Sequence, residues 1–151
     1  MALAESKGVK PGSSIGSHKI TIPDPVVTST GASTKDFQFT QPAGTIIESI
    51  YVHAVEAITL SGGGATSDLT VSIGTATTYD GVQLAAATTV IDYSASTTEA
   101  AGTVTKITPE TAYSGTVAQS EVTFYGQVAL GAAATVDTAG DIEVHIVYRH
   151  F

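Results

Sequence analysis

A chain of 151 residues with a net charge of −8 fits one acidic domain, and at that length folding buries roughly 70% of the unfolded surface, enough for a core without staples. The absence of cysteine excludes disulfides, thiolate chemistry and Cys-ligated metal. No apolar run reaches the roughly 20 residues of a membrane span, and an acidic body repels nucleic acid, whose phosphates need Lys and Arg.

Residues 1–17 read as an extended N-terminal arm, with Gly8, Pro11, Gly12, Ser13, Ser14 and Gly16 breaking any regular element. Its start, Met1-Ala2-Leu3-Ala4-Glu5-Ser6-Lys7, lacks the apolar core of a signal peptide. Synthesis in a reducing cytosol, alone or into something larger, is therefore expected. Charge is uneven along the chain. Lys7, Lys10, Lys19 and Lys35 face only Glu5 and Asp24, whereas from Asp36 onward Lys106 and Arg149 face twelve acids. A basic arm suits docking on an acidic protein surface, and it equally keeps a mobile tail in solution.

Residues 18–151 read as a single domain. His18-Lys19-Ile20-Thr21-Ile22 is a short strand stopped by Pro23 and Pro25, and Val26 to Ser29 resumes at a sheet edge. Phe37 and Phe39 alternate with polar neighbours, the period of a strand with one wet face. Thr45 to Leu60 is the long apolar stretch around which the rest packs. It is dense in Ile46, Ile47, Ile50, Tyr51, Val52, Val55 and Ile58, and turn residues bound it at Gln41 to Gly44 and Ser61 to Gly64. Neither alternate face is cleanly apolar, which predicts one long strand, or two joined by a bulge that swaps faces. Leu69, Val71 and Ile73 share the next face, and the segments across Ser61 to Ser67 are expected to pair antiparallel.

From Thr75 to Ser120 the pattern predicts mostly loop with two or three short strands. Tyr79-Asp80-Gly81 carries a turn signal, and Val90 to Tyr93 suits a strand. Ala85 to Ala87 and Glu99 to Ala101 favour helix but are too short to stand alone, and Pro109 suits the first position of one helical turn. Near the end, Val122, Phe124, Gly126, Val128 and Leu130 alternate, as do Ile142, Val144, Ile146 and Tyr148. These two runs are expected to form a hairpin across a loop of ten residues, Gly131 to Gly140. The sum is an all-β, antiparallel β-sandwich, jelly-roll-like.

Few patterns carry chemistry. His53 and His145 lie in expected strands and are candidate neighbours across a sheet, with Glu56 or Glu143 as a third metal ligand. No local motif supports a metal, and His53 and Glu56 would point to opposite faces of one strand, so these read as half-exposed strand histidines. Gly12-Ser13-Ser14-Ile15-Gly16 matches a nucleophile turn in spacing but lies in the arm, without the strand-to-helix context. Gly62-Gly63-Gly64-Ala65 lacks the Lys and Ser/Thr of a phosphate loop. Asp36 and Asp68 are not marked as an acid/base pair, and Asp137 with Asp141 offers at most a weak Ca²⁺ site. No catalytic residue, no metal and no cofactor is expected.

The charged fraction is only 13%, about half the usual share. A surface so poor in Lys and Glu lacks the residues that interfaces avoid, which fits a chain packed against copies of itself. The run from Phe37 to Val52, the run Leu69 to Thr75 with its following Tyr-Asp-Gly turn, and the closing Ile142 to Arg149 resemble the capsid decoration (cement) proteins of tailed bacteriophages. The resemblance spans roughly Phe37 to the C-terminus. It implies a non-enzymatic structural protein, made in the host cytoplasm, that sits as a homotrimer on the major-capsid lattice at the virion surface. The expected capsid or subunit contacts are Lys7, Lys10, Lys19, Tyr79, Tyr93 and Tyr113. The alternatives are a tail-fibre or carbohydrate-binding sandwich using the loop tyrosines, and a small hydrolase.

Overall fold

The computed structural model describes residues 15–23, 33–64, 67–75, 83–93, 97–107, 117–131, 134–138 and 140–151. Among these residues there are eleven strands and no helix. The strands are β1 (Ile15–Ile22), β2 (Ser33–Gln41), β3 (Thr45–Ala54), β4 (Ile58–Ser61), β5 (Leu69–Gly74), β6 (Gln83–Ile91), β7 (Thr98–Glu99), β8 (Val104–Ile107), β9 (Val122–Leu130), β10 (Thr135–Thr138) and β11 (Ile142–His150). Every pairing is antiparallel. One four-stranded sheet has the order β1-β11-β3-β8 and a second β2-β9-β5-β6. The two bury their inner faces against each other as a β-sandwich. Ile50, Val52, Ile107, Ile142, Val144 and Ile146 of the first meet Phe39, Leu69, Val71, Ile73, Phe124 and Val128 of the second in one core. Phe39 and Phe124, opposite each other on β2 and β9, stack with centroids 5.1 Å apart.

The central stretch follows the second of the two expected arrangements, with a bulge that swaps faces, and then leaves its sheet. A bulge at Glu48 shifts the β3–β11 register, so that Val147 pairs Ser49 while Tyr148 pairs Ile47. The extra residue swaps faces: Thr45 and Ile47 point inward before it, and Ile50, Val52 and Ala54 after it. This is why neither alternate face reads as apolar. The chain then breaks at residues 55–57, and β4 enters a different sheet.

That third sheet, β10-β4-β7, is small. Each of its strands lies in a connection between the two large sheets: β4 between β3 and β5, β7 between β6 and β8, β10 between β9 and β11. Ile58 and Leu60 are buried there and close that end of the core. Two expected pairings are corrected by it. β4 and β5 do not pair, because β4 is held by β10 and β7. β9 and β11 form no hairpin, because β10 carries the chain across the sandwich from one layer to the other. Alternation fixes which residues point inward, and it is silent on which of two layers they belong to. The alanines 85–87 lie in β6, not in a helical turn, and Glu99 pairs with Ile58 in β7. β1 takes in Ile15, Gly16 and Ser17, three residues assigned above to the arm. Val26 to Ser29 and Pro109 lie outside the described residues.

At the opposite end Gly44 turns β2 into β3 with φ 74°, a conformation that suits glycine. Its N–H donates to the Ala118 carbonyl (2.8 Å), and the Phe151 N–H donates to the Gly44 carbonyl (2.9 Å). Tyr148 is buried nearby, and burial pushes its hydroxyl up to about 12 from an ordinary 10.0. A phenol with a raised pKa in the folded state favours folding below its unfolded value and loses that advantage as pH rises through the folded one. Stability is therefore expected to fall between about pH 10 and pH 12, and to fall less in Tyr148→Phe, when urea midpoints of the two proteins are compared.

Candidate functional site

The outward face of the β1-β11-β3-β8 sheet gathers most of the described groups with chemical potential. Alternation on β11 turns Glu143, His145 and Val147 outward, since Ile142, Val144 and Ile146 are buried. The bulge at Glu48 does the same for Tyr51 and His53 on β3. The register then sets Glu143 opposite His53, and His145 between Tyr51 and Lys19. Beyond β3, Val104 of β8 stands opposite His53.

Glu143 is the hub of this face. Its Oε1 accepts from Lys19 Nζ at 2.8 Å. Its Oε2 lies 2.9 Å from His145 Nε2 and 3.5 Å from His53 Nδ1. The Lys19 hydrogen bond, then those of His145 and His53 with the Lys19 charge, outweigh desolvation and hold the carboxyl down at about 2. Glu143 therefore stays ionised through neutral and mildly acidic pH, its charge matched by Lys19. The His53 and His145 rings are tilted, with centroids 6.1 Å apart. Beside them lies an open hollow of about 400 Å³ lined by Ser17, Tyr51, Val104, Val147 and the two histidines. Val104 is 57% exposed at its rim. Further along, Arg149 pairs with Glu48, which ties the bulge to β11.

Of the residues singled out from the sequence, Lys19 belongs to this face. Tyr93 does not. Its hydroxyl accepts from the Gly63 N–H at 2.8 Å, its own N–H donates to Asp68 Oδ1 at 2.9 Å, and its ring packs half-buried against the core. Lys7, Lys10, Tyr79, Tyr113 and the candidate nucleophile Ser14 lie outside the described residues. Glu56 is exposed beyond the end of β3, and Glu143, not Glu56, meets the two histidines. Asp36 accepts from Gln127 Nε2 and Asp68 from Tyr93, with β9 lying between their strands. Asp137 accepts from Ser61 Oγ at 3.0 Å. All three residues of the His–Glu–His juxtaposition were named from the sequence, with His53 and His145 as neighbours across a sheet. The register, which the sequence does not record, is what selects Glu143 over Glu56 as the third.

No protein-family model matches the sequence, and no curated protein matches it. The fold does have a counterpart among solved structures. A chain in the capsid of Ralstonia phage GP4 superposes with a TM-score of 0.52 at 18% identity, over 93% of this chain and 86% of that one. At that identity the likeness is one of fold. A chain in the acidic stable capsid structure of Helicobacter pylori bacteriophage KHP30 aligns over 87% of this chain and 93% of its own, at 14% identity. Its TM-score of 0.35 is too low for a shared fold.

Proposed function

We propose that this chain is a non-enzymatic structural protein of a bacteriophage virion. In this reading it binds the outside of the capsid as a homotrimer and stabilises the major-capsid lattice. The observation that carries the reading is the fold likeness to a phage capsid chain across nearly the whole of both chains. The strand order adds support. Without the three short crossing strands, eight remain, which renumbered in chain order run 1-8-3-6 in one sheet and 2-7-4-5 in the other, an order that supports reading the sandwich as a jelly roll. The sparse charge leaves sheet faces that association would desolvate at low cost.

The capsid contact is assigned to the basic arm ahead of β1, residues 1–14, through Lys7 and Lys10, with Lys19 on the adjoining sheet face and Tyr79 and Tyr113 between subunits or against the shell. A carbohydrate-binding role is weaker, because Tyr93 spends its hydroxyl on Gly63. The test uses purified chain and shells of the phage that encodes it. Light scattering after size exclusion is expected to give three times the mass of one chain, and the chain is expected to sediment with the shells. Removing residues 1–14 should reduce shell occupancy while the trimer stays folded. A stable monomer that leaves the shells unoccupied would overturn the reading.

A further inference from the structure

We propose that His53, His145 and Glu143 form a binding site for a divalent transition ion of the Zn²⁺ class. The inference rests on the geometry of this face and not on the virion reading. One ligand atom from each of the three residues lies within 4.8 Å of the other two. Bonds of roughly 2.0–2.2 Å to a tetrahedral ion set its ligands roughly 3.3–3.5 Å apart. Small side-chain rotations close the difference, while the backbone stays fixed by three paired strands, β1, β11 and β3.

The division of labour at Glu143 suits a metal. Lys19 holds Oε1, which leaves Oε2 directed at both histidines. An ion taking Oε2, His53 Nδ1 and His145 Nε2 replaces the shared hydrogens between them, and Lys19 stays behind as the outer partner that orients the carboxylate. Two imidazoles with one carboxylate select Zn²⁺, Co²⁺, Ni²⁺ or Cu²⁺ over Mg²⁺ and Ca²⁺, which prefer oxygen. Three protein ligands leave a fourth position open. It faces the hollow beside Tyr51 and Val104, where water or a group from a neighbouring molecule would complete the shell.

The experiment uses the full chain without an affinity tag, stripped with chelator and dialysed. Zn²⁺ is titrated by calorimetry, and Co²⁺ by visible absorption, which reports coordination number. One ion per chain with micromolar or tighter affinity is expected, and the Co²⁺ spectrum should be that of a four-coordinate ion. His53→Ala, His145→Ala and Glu143→Gln should each weaken binding by more than about tenfold. His18→Ala and His150→Ala should not, since neither residue belongs to the cluster. Circular dichroism of each variant checks that the sheets are kept. The proposal is overturned by the absence of binding at about 100 μM Zn²⁺, or by unchanged affinity in a folded His53→Ala/His145→Ala double variant.

Discussion

Replacing Phe124 by Ala is expected to lower the unfolding free energy by about 3–5 kcal/mol. The ring is fully buried near the start of β9. It stacks on Phe39 across the strand pair, with only 17° between the planes. Truncation removes the transfer energy of the ring and leaves a void between two β-sheets. Close-packed sheets relax only in part, so the lost contacts are not regained. For a chain of this length each kcal/mol moves the melting temperature by roughly 2–4 °C, so the total is on the order of 10 °C. Thr123→Ala is the control. Thr123 is exposed one residue away on the same strand, and it should change stability by no more than about 0.5 kcal/mol. Equal losses from the two variants in urea unfolding would refute the assignment of Phe124 to the core.

The second large effect comes from adding atoms. Gly126 sits opposite Phe37 on β2 and Ile73 on β5. Its backbone is not left-handed, so the glycine is required by space alone. A Cβ at this position would lie 2.1 Å from Phe37 Cζ, and 2.3 Å and 2.6 Å from the two Cε atoms. The ring lies across the bare backbone, and Gly126→Ala must drive it off. A cost of about 3 kcal/mol is expected, near the upper part of the usual overpacking range. Placing the same change in a Phe37→Ala background separates this cause from others. There Gly126→Ala should cost well under 1 kcal/mol, as expected for two residues coupled by direct contact. An undiminished cost would mean that the ring is not what excludes the methyl group.

The all-β class and the identities of the core residues were legible in the sequence, because alternation at Phe37/Phe39, Leu69/Val71/Ile73, Val122 to Leu130 and Ile142 to Tyr148 is a direct imprint of the pleat. Partnership was not. The run ending at Leu130 and the run starting at Ile142 look like two arms of one hairpin, yet they belong to opposite layers. Both arms of a true hairpin and both sides of a crossover bury one face, so the pattern is the same. Only the connection differs, and Thr135 to Thr138 within it is too short and polar to read as a strand. The bulge at Glu48 was expected in kind but not in place, since an inserted residue announces itself only as a blurred pattern. The site suffered most. His53 and Glu143 are ninety residues apart in the chain, and nothing local records that they share a rung of the ladder.

β11 lies in the interior of its sheet, flanked by β1 and β3. A nascent chain that has presented only its first 141 residues therefore has no middle for that layer. Among the described residues, β1 then has no neighbour to bond with, and β3 bonds only to the short β8. That layer must wait, extended and unprotected, for the residues from Ile142 onward, while every strand of the other large sheet is already present. Such distant pairings place the protein among slow folders, in the millisecond-to-second range. They also make an early stop after β10 a truncation that leaves a sticky, half-built layer rather than a smaller version of the same fold.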